Sequence, residues 1–217
     1  MVVQLALHQL QIPPGQRLWL KNISWQAFEA ILDELGDHRG ARLAYDNGTL
    51  EIMMPLPEQE DDKEIVGDLV KALLEELDIE FRSLGSTTFK HQQIAQGLEP
   101  DQCFYIQNKA QIRGKKRIDL AIDPPPDLAI EIDITSRTHP TIYAALKVPE
   151  LWQFSEGKLQ ISCLRNDRYT EVAESPNFPN LPLIEIIPKY LEQSKTSGRN
   201  STLKAFRQWI RQQIGTV

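Results

Sequence analysis

Pro126-Asp127-Leu128-Ala129-Ile130-Glu131-Ile132-Asp133 is the stretch on which the fold turns. Read as a strand, it puts Leu128, Ile130, Ile132 and Ile134 on one face and Ala129, Glu131, Asp133 and Thr135 on the other, because side chains alternate along extended backbone. The first face is wholly aliphatic. The second carries carboxylates in the middle of an apolar strand, which is costly to bury unless something positive meets them. A divalent cation is the most economical partner. A second acidic string, Glu99-Pro100-Asp101, opens another strand-like run from Asp101 to Ile106. Asp101 and Glu131 on neighbouring strands are therefore the first candidate metal ligands. The carbonyl of Ile132 could add an oxygen, and Asp133 faces the same way as Glu131.

The pattern around these strings sets the architecture. Ser24 is a suitable N-cap for a first helix that Gly36 ends. Arg42 to Asp46 and Thr49 to Met54 flank Asn47-Gly48, a strong hairpin signal, and Pro55 and Pro57 stop the second strand. Glu58 to Leu77 reads as a helix, with Ile65, Leu69, Leu73 and Leu77 recurring every four residues. Strand-like stretches follow at Ile79 to Leu84 and Thr87 to Ile94. After the acidic strand a helix is expected over His139 to Leu146. Next come a hairpin around Glu156-Gly157 and a further strand from Tyr169 to Ala173. Two terminal helices, Leu183 to Gln193 and Ser201 to Ile214, are joined by a Ser/Gly/Asn linker. This order predicts an α/β (α+β) layer protein with a mixed central sheet flanked by helices. It does not follow the regular alternation of a doubly wound fold, and neither GxGxxG nor GxxxxGK[ST] is present. The expected organisation is one domain over 1–217, with an N-terminal helix–hairpin portion (about 1–57) and a C-terminal helical extension (about 183–217).

Composition narrows the function. At 217 residues, with 41% hydrophobic and 25% charged residues, the chain suits a soluble globular protein. A net charge of −6 argues against wholesale attraction to nucleic acid, so any such binding must use local basic patches. Cys103 and Cys163 lie in apolar runs and read as core thiols. No CxxC or Cys/His cluster suggests zinc. Neither a signal peptide nor a bilayer-spanning run is expected, which makes the cytoplasm the default compartment.

Hydrolysis of a phosphodiester needs positive charge at the scissile phosphate and an activated water. Mg²⁺ (or Mn²⁺) supplies both with only two or three carboxylates as protein ligands. A basic residue commonly assists. His139, opening the helix after the acidic strand, and Lys90, on a preceding strand-like segment, are the candidates.

Taken together, Glu99-Pro100-Asp101 and Pro126 to Glu131 resemble the putative restriction endonuclease family of the PD-(D/E)XK nuclease superfamily. Flanking text fits as well: Met54-Pro55-Leu56-Pro57-Glu58 before the long helix, and Tyr143-Ala144-Ala145-Leu146-Lys147-Val148-Pro149-Glu150-Leu151-Trp152 after the strand. The resemblance covers roughly residues 20 to 190. It implies a restriction-endonuclease-like mixed sheet and Mg²⁺-dependent DNA cleavage as the ancestral activity, with Asp101 and Glu131 matching the metal-binding acids. An acid of the long helix, Glu64 or Glu60, would complete the set. The chain departs from the pattern at Asp133, where the superfamily carries lysine, and at His139, where this family often carries one. It also departs at Gln59, where relatives tend to have histidine, and at Lys147, where they tend to have glycine.

Two further basic features stand out. The loop Arg113 to Arg117 could grip phosphates. The C-terminal helices carry Lys189, Lys195, Arg199, Lys204, Arg207 and Arg211 against one acid, Glu192, and could form a phosphate-backbone track or the wet face of an amphipathic helix. The expectation is thus a Mg²⁺-dependent endonuclease acting on DNA. The alternative is a catalytically inactive descendant serving as a DNA-binding or protein-interaction module, and a hydrolase of another phosphate ester is a third, weaker reading. A homodimer is plausible, since two-strand cleavage benefits from paired sites.

Overall fold

The structure, a computed structural model, describes residues 7–36, 40–132 and 140–215. Two of the candidate residues, Asp133 and His139, lie outside the described residues, as does the end of the acidic strand beyond Ile132.

Chain order gives β1 (Arg17–Lys21), α1 (Trp25–Leu35), β2 (Arg42–Asp46), β3 (Thr49–Met53) and α2 (Pro57–Glu76). Then come β4 (Arg82–Ser83), β5 (Phe89–His91), β6 (Gln96–Leu98), β7 (Gln102–Tyr105), β8 (Leu128–Ile132) and α3 (Pro140–Ala145). The chain closes with β9 (Glu150–Ser155), β10 (Lys158–Arg165), β11 (Arg168–Glu171), α4 (Leu183–Ser197) and α5 (Arg199–Ile214). Among the described residues the strands form two sheets, ordered β1-β3-β2-β6-β5 and β11-β10-β9-β8-β7-β4. The larger sheet is mixed: β8 runs parallel to β9 and antiparallel to β7. The smaller is antiparallel throughout, at β1–β3, β2–β3, β2–β6 and β5–β6.

Strand β8 is buried along its whole length. Its aliphatic face, Leu128, Ile130 and Ile132, packs in one cluster with Ile65, Val66, Leu69 and Leu73 of α2 and with Ile187, Phe206 and Ile210 of α4 and α5. Ala129 packs on the other face with Cys103, Ile142 and Tyr143. Both cysteines are buried free thiols, as their apolar settings suggested. The small sheet is amphipathic in the period-two sense. Leu43, Tyr45, Leu50 and Ile52 meet Trp25, Phe28 and Leu32 of α1. The alternate residues Arg42, Ala44, Glu51 and Met53 turn to a cleft on its other side.

Local signals account for most boundaries. Ser24 Oγ accepts from the Ala27 amide at 3.2 Å, and Gly36 closes α1 at φ 70°. Asn47 and Gly48, at φ 45° and 89°, make the tight turn between β2 and β3, because only left-handed residues match the twist of the paired strands. Three expectations change. The strand read from Ile79 to Leu84 shrinks to Arg82–Ser83, since Ile79 and Phe81 pack beside the main core instead of pairing. The segment from Thr87 to Ile94 pairs only over Phe89–His91 before a 3-10 turn. The linker between the terminal helices reduces to Gly198 at φ 82°, so α4 and α5 abut. Strands β1 and β6 were missed; Gln96-Gly97-Leu98 is too short and polar to announce itself.

The basic track proposed on the C-terminal helices is mostly spent internally. Lys195 pairs with Asp62 at 3.1 Å, Arg199 Nε with Asp68 at 2.6 Å, Arg207 with Glu75 at 2.6 Å and Arg211 with Glu76 at 2.7 Å. The acids all belong to α2. The pairs that stand partly in solvent each contribute little to stability, but with the buried Asp62 they tie α4 and α5 to α2.

Two outcomes test this packing. Phe206 is fully buried, stacks on Trp209 at 5.7 Å and meets Tyr190 edge-on at 5.0 Å. Phe206→Ala should cost about 3–5 kcal/mol, read from urea unfolding. Lys147 sits at φ 63° after α3, where the Val148 amide donates to the Tyr143 carbonyl and the Lys147 amide to that of Ala144. This is the helix stop that favours glycine, the residue expected there from the family resemblance. Lys147→Gly should raise stability by about 0.5–1 kcal/mol in the same assay.

Candidate functional site

The cleft lies where the polar face of the small sheet meets one end of the large one. Its walls include Arg17 and Arg42 from the small sheet and Glu99, Asp101, Glu131 and Tyr143 from the other side. It is small, about 60 Å³ of solvent-accessible space. The β7–β8 register pairs Gln102 with Ile130; one residue further on, Asp101 stands opposite Glu131. Antiparallel pairing therefore brings the two acidic strings side by side, as their spacing in sequence could not.

Each carboxylate is held. Asp101 Oδ2 accepts from the Ile132 amide at 2.7 Å, and Oδ1 meets Arg42 Nε at 3.4 Å. Arg42 Nη2 reaches Glu60 Oε1 at 2.7 Å, and Lys63, itself buried, donates to the other oxygen of Glu60. Burial pushes the Asp101 carboxyl above the ordinary aspartate range; the Ile132 amide, Arg42 and Lys63 oppose that shift without cancelling it. Glu131, 8% exposed, accepts from the Tyr143 hydroxyl. Glu99 braces the wall, accepting from the Leu43 amide at 3.1 Å and the Thr88 hydroxyl at 2.5 Å.

The other candidates fare differently. Glu60 joins the network through Arg42. Glu64 is half exposed, 3.8 Å from Lys63, and does not line the cleft. Lys90 also lies outside the cleft lining; its ammonium pairs with Glu29 of α1 at 2.7 Å. Sequence reasoning missed Arg42, Lys63 and Tyr143. Arg42 was hidden because it belongs to a different sheet, 59 residues from Asp101. Tyr143 was quoted only as flanking text, though it follows the strand by one helix.

Among the described residues, no three His, Cys, Asp or Glu side chains are grouped to hold a metal ion. The Asp101–Glu131 pair offers hard oxygen donors only. That suits Mg²⁺, which keeps several waters and binds through one or two carboxylates.

Comparison with known proteins fits this arrangement. The family model Uma2, described as "Putative restriction endonuclease", matches residues 25–193. No curated protein matches the chain. Among solved structures, a putative nuclease belonging to DUF820 from Anabaena variabilis ATCC 29413 is similar. It shares 14% sequence identity at a TM-score of 0.50, over 69% of this chain and 90% of that chain. At that identity the likeness shows a shared nuclease-like fold. The family match runs from the start of α1 into α4 and takes in Arg42, Asp101, Glu131 and Tyr143, so the chain belongs to the Uma2 putative restriction endonuclease family.

Proposed function

We propose that the protein is a Mg²⁺- or Mn²⁺-dependent endonuclease that hydrolyses DNA phosphodiester bonds at the Asp101–Glu131 cleft. The observation that carries this is the pairing itself: two buried carboxylates from adjacent strands lining one cleft, with a guanidinium beside them. Asp101 and Glu131 would hold the metal, with Asp133 as a further oxygen donor. The metal would supply positive charge at the scissile phosphate and activate the attacking water. The chain's own groups do the positioning. The Ile132 amide fixes the Asp101 carboxylate, the Tyr143 hydroxyl fixes that of Glu131, and Arg42 brings positive charge to where the phosphate gains negative charge. His139 remains the candidate for orienting the water, ahead of Lys90, which is engaged with Glu29.

Beyond the chemistry, we read the chain as a single restriction-endonuclease-like domain. It would act in the cytoplasm and pair as a homodimer for two-strand cleavage. Among the described residues no helix is long and apolar enough to cross a membrane.

One observation favours a second reading, an inactive descendant that binds DNA or a protein. Arg42 already answers the Asp101 charge, and the position two after Glu131 holds Asp133 where the superfamily has lysine. Plasmid nicking by purified protein with Mg²⁺ or Mn²⁺ separates the two. Activity is expected from the wild type and at least a hundredfold loss, about 3 kcal/mol of transition-state stabilisation, from the Asp101→Ala, Glu131→Ala pair. Equal cutting by both would remove the assignment. Metal binding is tested apart from turnover. Millimolar Mn²⁺ should raise the melting temperature of the wild type, as any ligand of the native state does, and leave that of the double variant unchanged.

A further inference from the structure

The fold disposes of its two basic features in opposite ways. Four of the six cations of α4 and α5, Lys195, Arg199, Arg207 and Arg211, pair with acids of α2. Of the four cations from Arg113 to Arg117, in the loop that follows β7, Lys115 is used internally and Arg113, Lys116 and Arg117 are exposed. Lys115 pairs with Asp123, and Arg82 of β4 clamps the loop by donating to the carbonyl of Ile112 and, at 2.7 Å, to that of Lys115. Ile112 is fully buried, which pins the loop from inside. Lys116 and Arg117 come next; both are exposed, and neither has an acidic partner among the described residues.

These two side chains border a groove of about 390 Å³ whose opposite walls are Ser86, Thr87 and Thr88 with Lys90, and Leu32 and Asp33 of α1. Among the described residues Asp33 is the acid in the lining, and Lys90 is balanced by Glu29 outside it. The groove is separated from the acidic cleft by one short segment of chain. Thr88, in the groove, donates to Glu99 in the cleft, and Ser86 donates to the Asp101 carbonyl at 3.3 Å. Ser86–Thr88 is thus the wall shared by the acidic cleft and the groove that Lys116 and Arg117 border.

We infer that Lys116 and Arg117 form the phosphate-backbone grip that holds duplex DNA beside the cleft, on a loop pre-set by Arg82 and Lys115. This rests on the nuclease reading above and names where its substrate lies. Cations held on a clamped loop lose less freedom on binding than free side chains do, and backbone contacts position a duplex without reading its sequence. The C-terminal helices take no part.

The test is a fluorescence-anisotropy titration of a labelled DNA duplex across a salt series, in EDTA so that cleavage plays no role. The full-length wild type is compared with Lys116→Ala, Arg117→Ala and with Arg211→Ala as the control from α5. Each phosphate contact contributes about 0.9 to the slope of log K against log salt. The double variant should therefore lose about 1.8 from that slope and bind roughly tenfold more weakly or worse, while Arg211→Ala matches the wild type. A double variant with wild-type affinity and slope overturns the grip. Wild type that binds no DNA overturns the DNA reading of the cleft and the grip with it. Wild type that binds DNA, with the expected slope loss in the double variant, yet never nicks, supports the grip and removes only catalysis. Both substituted side chains are exposed, and a Lys116→Glu variant, expected to bind more weakly still, guards against a local packing effect.

Discussion

Strand β8 is covered on both faces, and that places a strict condition on any carboxylate it carries. Leu128, Ile130 and Ile132 need a complete aliphatic cover, which α2, α4 and α5 provide. Ala129 needs a small pocket, which Cys103 and Tyr143 provide. Glu131 accepts from the Tyr143 hydroxyl and lines the cleft that the polar face of the small sheet closes from the other side. Burying it further without a partner would cost several kcal/mol. The cleft lies where β8 faces the polar side of the small sheet.

The network around Asp101 shows how such a position is kept. An amide and a guanidinium hold the carboxylate, and the guanidinium passes to Glu60 and Lys63 on α2. These groups come from the small sheet, the large sheet and the long helix. The network therefore ties all three layers together as well as shaping the site. A buried ion pair of this kind is weak support for stability in itself, since desolvation offsets the attraction. Its value lies in fixing geometry. Glu150 shows the contrasting, purely structural solution. Its buried carboxylate is answered by the Trp152 indole at 2.6 Å and the Asn177 side-chain amide at 2.6 Å, with no cation among the described residues, and burial still pushes its pKa up.

Electrostatics elsewhere follow a division of labour. Asp62, Asp68, Glu75 and Glu76 of α2 receive cations of the last two helices. An excess of positive charge on a helix says nothing about nucleic acid until the acids facing it are known. The loop from Arg113 to Arg117 has the same composition and the opposite fate, because Arg82 and Asp123 satisfy its backbone and one lysine and leave the next two side chains outward.

By itself the sequence determined the elements whose causes are local. Ser24 capped α1, Asn47-Gly48 and Glu156-Gly157 made hairpins, the four-residue recurrence in α2 gave its buried stripe, and alternation along β8 separated the aliphatic face from Glu131. It also carried the family, through motifs whose residues lie close together in the chain. Only the tertiary structure decided that the small sheet stands apart from the large one, and that Arg42 reaches Asp101. It also decided that Lys90 turns to Glu29 and that Lys195, Arg199, Arg207 and Arg211 of the terminal helices meet acids of α2. Each of these is a pairing between residues distant in sequence, and such pairing depends on strand order and register, which no local propensity encodes.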